Sequence, residues 1–181
     1  RHYTWRVRVW DEADTPSAWS ESSDFSILTS EAAFAGSEWI GAITRKDAHL
    51  PEGRKYHGSE LKKPEAKAAW AAVDTLAKKS IYLRREFYVA KKVKDATAYV
   101  CGLGFYEFSL NGEKVGDSEF APLWSDYDKS VYYNTYDVTS QVKKGGNAIG
   151  VLLGNGFYNV QGGRYRKLQI SFGAPTLRFR M

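Results

Sequence analysis

Cysteine is almost absent from this 181-residue chain: there is one, at position 101, and a single methionine, at 181. One thiol closes no internal disulfide and cannot build a multi-thiolate zinc site. No uninterrupted apolar run approaches the roughly 18–20 residues of a membrane-spanning helix. The sequence has no G-x-x-x-x-G-K-[ST] phosphate loop and no G-x-S-x-G nucleophile elbow. Gly102-Leu103-Gly104 and Gly154-Asn155-Gly156 lack a third glycine at dinucleotide spacing, and neither opens a helical pattern. His2, His49 and His57 do not stand at metalloprotease spacing, and they read as ordinary surface or loop residues. Cys101 closes a strand-like run with no base assignable to it, so it reads as a small buried hydrophobe.

Charge of one sign is also scarce. Lys and Arg number 26 against 21 Asp and Glu, a formal net charge of +5. The basic residues come in adjacent pairs such as Lys62-Lys63, Arg84-Arg85 and Lys143-Lys144. Neighbours on a strand point to opposite faces, so such pairs make no dense basic stripe. No nucleic-acid partner is expected from so weak a footprint. Asp126-Tyr127-Asp128-Lys129-Ser130 opens like a calcium loop. An EF-hand is rejected, because its sixth position would be Val131 and its twelfth Asp137. Calcium in another geometry stays open beside the reading of solvated turn carboxylates.

What the chain has in quantity is aromatics: 6 Trp, 12 Tyr and 9 Phe. With 43% hydrophobic residues this argues for a packed core. Tyr3, Trp5, Val7 and Val9 alternate with polar neighbours, which predicts a strand over Tyr3–Trp10, then a turn and a second strand near Ser22–Leu28. The spacing of Trp5, Asp11, Ser17, Trp19 and Phe25 resembles the final strands of a fibronectin type III module. Residues 29–79 read as a linker with a short apolar patch, Ser37–Gly41, and one short helix. Ala66, Ala69, Trp70, Val73, Leu76 and Ala77 form one helical stripe, Pro64 suits its first position, and Trp70 reads as a core anchor.

From Ser80 the pattern is β. Strands are expected at Ile81–Val89, Ala96–Val100, Tyr106–Leu110, Glu113–Val115, Val131–Tyr133, Ala148–Leu153, Leu168–Phe172 and Thr176–Arg180. Asn111-Gly112 is the strongest hairpin signal, and a two-residue turn pairs Leu110 with Glu113 and Phe108 with Val115. The fold class expected is mainly β: an antiparallel β-sandwich or jelly roll over 80–181 with one short helix, plus a partial fibronectin type III-like module over 1–28. Both ends of the chain are strand-like. The expectation is a segment of a longer protein whose sandwich has an open edge beside Thr176–Arg180, either because it is truncated at its C-terminus or because a partner fills the gap.

Aromatics are densest between Phe105 and Tyr165, interleaved with Asn, Asp, Ser and Gly. An aromatic face stacks on the apolar face of a pyranose while amides and carboxylates bond its hydroxyls. Strand aromatics such as Phe108, Tyr132 and Tyr133 read as core. The loop aromatics Trp124, Tyr127, Phe157 and Tyr158 are candidate sugar contacts.

The run from Gly102 to Asn159 closely resembles the N-terminal β-sandwich of bacterial α-L-rhamnosidases. The motifs are G-x-x-E-x-x-[IL]-N-G-x-x-V-G at Gly104–Gly116, W-[ST]-D-Y-x-[KR] at Trp124–Lys129, Y-D-V-T at Tyr136–Thr139, G-x-N-x-[IL]-G ending at Gly150, and L-G-x-G-[WF]-Y at Leu153–Tyr158. The resemblance implies a bacterial glycoside hydrolase that removes terminal α-L-rhamnosyl groups with inversion, using two carboxylates roughly 6.5–9.5 Å apart. In that family the carboxylates belong to a downstream (α/α)6 barrel, so no catalytic residue transfers to this chain. The resemblance further implies a contact with that barrel, rhamnose-containing glycans or glycosides as partners, and calcium as a candidate cofactor, since some related sandwiches bind rhamnose with calcium. It leaves the compartment open between periplasm and exterior. Asn111, Asp126 and Asn155 are polar loop positions inside the motifs and join Trp124, Tyr127 and Tyr158 as candidate carbohydrate contacts. Two functions are compatible with these residues: a non-catalytic accessory segment of an α-L-rhamnosidase, or a free-standing carbohydrate-binding or adhesion module.

Overall fold

A computed structural model describes residues 2–26, 30–42, 56–72, 78–160 and 168–181. They divide into two compact units, residues 1–35 and 36–181.

In the first unit, β1 (His2–Trp5) pairs antiparallel with β2 (Ser23–Ser26), and a one-turn helix α1 (Ser30–Ala33) follows. The ladder stops at Trp5 rather than running to Trp10, because serine hydroxyls replace backbone acceptors beyond it. Val7 N–H donates to Ser20 Oγ (2.9 Å) and Val9 N–H to Ser17 Oγ (3.1 Å). The Val7 and Val9 carbonyls accept from the Ser20 and Ser17 amides, each at 2.8 Å. Arg6 and Arg8 lie 4.6 and 4.7 Å from the Trp19 ring, so the tryptophan is a cation–π platform between two charges.

The second unit is a β-sandwich. One sheet has the order β5 (Ile81–Val89), β10 (Gly145–Leu153), β7 (Tyr106–Leu110), β8 (Glu113–Lys114). The other has the order β3 (Trp39–Gly41), β13 (Thr176–Arg180), β6 (Thr97–Leu103), β9 (Asn134–Asp137). All the pairings are antiparallel. Phe108, Leu110, Val151 and Leu153 from the first sheet meet Val100, Val138 and Leu177 from the second side in one core. Each such side chain contributes about 1.5–3 kcal/mol by leaving water. Phe108 closes the middle, edge-on to Tyr136 (5.7 Å) and Phe179 (5.3 Å). A smaller sheet runs β11 (Asn159–Val160), β12 (Leu168–Ser171), β4 (Tyr56–His57).

The Asn111-Gly112 hairpin forms as expected. Leu110 faces Glu113, and Val115 N–H reaches the Phe108 carbonyl at 2.8 Å. Both turn residues have positive φ, 56° and 88°. Four expectations change. The strand expected at Val131–Tyr133 lies at Asn134–Asp137. The ladder to β6 ends at the Val100–Asn134 pair; beyond it the Cys101 thiol donates to the Tyr132 carbonyl (3.3 Å), and Tyr132 is exposed rather than core. The open edge expected beside β13 is filled: Trp39–Gly41, the apolar patch of the linker, pairs with it, and Arg178 Nε donates to Ser37 Oγ at 3.1 Å. The helix α2 spans Pro64–Ala72 and buries only Ala66. Trp70 is half-buried against the Lys78 ammonium, 5.2 Å from its ring, and is not a core anchor. The far end of the expected stripe, Val73, Leu76 and Ala77, lies outside the described residues.

Candidate functional site

The two G-x-G motifs form one structure. Gly104 has φ +121°, and a Cβ there would collide with the Gly154 carbonyl. Gly154 N–H donates to the Phe105 carbonyl at 2.7 Å. Gly156 has φ +52°, and a Cβ there would stand 2.8 Å from the Phe105 amide. The backbones of the turn after β6 and the loop after β10 therefore press together, and only glycine permits that approach. The phenylalanine after each motif is aimed outward as a result. Phe105 and Phe157 meet edge-on at 5.6 Å, Phe120 packs on Phe105 at 5.5 Å, and Trp124 lies 6.4 Å from Phe157. Phe120 and Trp124 are 71% and 62% exposed, which makes this an open aromatic surface rather than core.

Beside it lies a cleft of about 430 Å³, lined by Trp70, Lys78, Phe105, Asn155, Phe157 and Asn159 among others. Asn155 anchors one wall: its Nδ2 donates to the Lys78 carbonyl at 2.6 Å, and its Oδ1 accepts from Asn159 Nδ2 at 3.1 Å. A lining of rings with an amide and an ammonium suits a ligand with one apolar face and several hydroxyls.

The other residues singled out by sequence sit elsewhere. Tyr158 stacks on Phe172 at 5.6 Å, and Tyr127 meets both edge-on, at 5.1 and 5.2 Å, in a half-buried trio. Tyr158 donates to the Phe172 carbonyl at 3.1 Å, and burial pushes the pKa of both phenols up. Asp126 holds its own turn: its carbonyl accepts from the Lys129 and Ser130 amides, and its carboxylate pairs with Lys129 Nζ at 2.9 Å. Asn111 is bound into the hairpin. Its Nδ2 donates to the Gln141 carbonyl (2.9 Å) and Asn147 Oδ1 (3.0 Å), and its Oδ1 accepts from the Ala148 amide (3.0 Å). The structure thus brings Asn155 and, through Phe157, Trp124 to one place, and Tyr127 and Tyr158 to another. Among the described residues no group of three or more His, Cys, Asp and Glu side chains is placed to hold a metal ion. The amide oxygens of Asn111 and Asn155 are already engaged as acceptors.

Trp70 and Lys78 carry no local signal of this role. The Asn155–Lys78 contact spans 77 positions, and only the fold closes it.

Residues 91–181 match the family model described as the alpha-L-rhamnosidase N-terminal domain, and residues 1–28 match the Rha78A-like N-terminal immunoglobulin domain. The latter is the stretch whose spacing resembles a fibronectin type III module. An α-L-rhamnosidase of Formosa agariphila is 37% identical over 181 residues, 97% of this chain and 18% of the relative. One of Streptomyces avermitilis is 46% identical over 90 residues, 49% of this chain and 9% of the relative. The solved α-L-rhamnosidase of Dictyoglumus thermophilum superposes with a TM-score of 0.65 at 30% identity, covering 99% of this chain and 18% of that one. That of Aspergillus terreus gives 0.65 at 27% identity, covering 98% and 18%. The chain therefore spans under a fifth of the length of these relatives.

Proposed function

The chain belongs to the α-L-rhamnosidase N-terminal domain family, and from this we propose that it is the non-catalytic accessory segment of an α-L-rhamnosidase. The segment braces a downstream catalytic barrel and contacts the sugar of its substrate. The observation that carries this reading is the match to α-L-rhamnosidases along nearly the whole chain, at under a fifth of their length. The exposed Phe120, Leu123 and Trp124 support the bracing role, since clustered apolar surface of this kind marks interaction sites. The Trp70–Phe105–Asn155–Phe157 cleft supports the sugar contact.

Two measurements test the proposal. The 181-residue chain is expected to release no aglycone from an aryl α-L-rhamnoside, and turnover abolished by changing one of its carboxylates would overturn the accessory role. Titration with L-rhamnose, with and without calcium, is expected to shift the amide signals of Asn155 and Phe157, and Trp70→Ala is expected to remove those shifts. Unmoved signals under both conditions would overturn the sugar contact at this cleft.

A further inference from the structure

The outer face of the β5–β10–β7–β8 sheet carries a second feature. Leu83, Phe87, Val151 and Leu153 point into the core. The period of two along a strand therefore sends Tyr82, Arg84, Glu86 and Tyr88 of β5, and Gly146, Ala148 and Gly150 of β10, to the opposite face. The register sets Gly146 beside Tyr88, Ala148 beside Glu86 and Gly150 beside Arg84. On this face Gly146, Ala148 and Gly150 offer nothing larger than a methyl group, and exposed Leu152 closes the end opposite Tyr82, so the side chains of β5 stand as a wall beside a floor that is bare from Gly146 to Ala148. Two adjoining hollows of about 410 and 670 Å³ result, and they share Asn111, Gly146 and Ala148. At Gly150 the floor is covered by the tip of Tyr82: a Cβ there would collide with the Tyr82 hydroxyl and stand 2.7 Å from Ser109 Oγ, whereas Gly146 has open space above it.

The wall has a distinct composition. Tyr82 and Tyr88 are 62% and 75% exposed. They stand six residues apart on one strand, a span of roughly 20 Å. Between them Arg84 Nη2 and Glu86 Oε1 pair at 2.6 Å. Exposed rings at both ends suit the C–H faces of sugar rings, and the ion pair between them offers hydroxyls both donors and acceptors. Glu86 neutralises Arg84, which argues for an uncharged ligand over a polyanion.

We propose that this trough, distinct from the Trp70–Phe157 cleft, binds a neutral oligosaccharide several rings long, laid along β5. The proposal rests on the carbohydrate reading above only for the sugar used to test it. The experiment is an amide NMR titration of the 181-residue chain with a neutral rhamnose-containing oligosaccharide, compared with Tyr82→Ala, Tyr88→Ala and Trp70→Ala. Both tyrosines are exposed, so their variants are expected to keep the native spectrum, and each tests the trough independently. The expected result is shifts at Gly146, Ala148 and Gly150, with affinity weakened about tenfold by either tyrosine change and unaffected by Trp70→Ala. Shifts confined to Asn155 and Phe157 would overturn the trough and leave the cleft reading intact. Shifts confined to the trough would do the reverse, and none at either would overturn both. Trough shifts produced by heparin and lost with salt, with none from the neutral sugar, would replace the proposal with anion recognition through Arg84 and Lys143.

Discussion

Asn111 and Asn147 hold each other and the loop between them. Asn147 is buried, and its carboxamide bonds the Lys143 amide, the Lys143 carbonyl and the Gly145 carbonyl. The asparagines of the N-G and G-x-N motifs thus cross-link the hairpin to the turn before β10. A motif letter shared by a family records such packing as readily as it records a ligand, and spacing alone does not separate the two. Cys101 is the converse case, where composition was sufficient. It is 3% exposed, and burial pushes its thiol up to about 11. The reactive species is the thiolate. We therefore expect Cys101 to resist alkylation at pH 8 in the native protein and to label at the rate of a free thiol in denaturant. Rapid native labelling followed by mass spectrometry would contradict the packing described for β6.

At the scale of elements, alternation marks a strand with one wet face most clearly. β7 alternates strictly: Tyr106, Phe108 and Leu110 are buried, Glu107 is exposed and Ser109 half-buried. β5, β8, β12 and β13 also fall close to where alternation or turn chemistry puts them. Short strands escape such reading. β3, β4 and β11 have two or three residues each, too few to show a period, and they exist because a longer neighbour offers unpaired backbone groups. The glycine-to-glycine contact under the candidate site is another pairing of elements that no single motif announces. Gly104→Ala would place a methyl on a positive-φ residue against the Gly154 carbonyl, and we expect it to cost more than about 2 kcal/mol in urea unfolding. Gly112→Ala, with open space around its Cβ position, is expected to cost less, near the roughly 1 kcal/mol of the backbone conformation alone.

At the scale of the whole molecule the net charge is +5, and among the described residues several of the basic side chains are paired. Lys114 pairs with Glu119 and Glu107, Lys129 with Asp126, Arg84 with Glu86 and Lys63 with Glu60. We expect the chain to leave a heparin column below about 0.15 M salt, the range in which screening removes weak surface attraction. Retention well above that would reveal a basic face and contradict the expectation of no nucleic-acid partner.

The sequence by itself determined the class of fold, the hairpin at Asn111-Gly112 and the family, because alternation, turn chemistry and motif spacing are local and survive in one dimension. Only the tertiary structure decided which aromatics are surface and which are core. It half-buried Tyr158, left Trp124 open, drew Trp70 and Lys78 to Asn155, and closed the sheet beside β13 with Trp39–Gly41. Those outcomes depend on which distant backbone groups and rings reach each other once the two sheets have packed, and contact across that distance leaves no periodic trace in the chain.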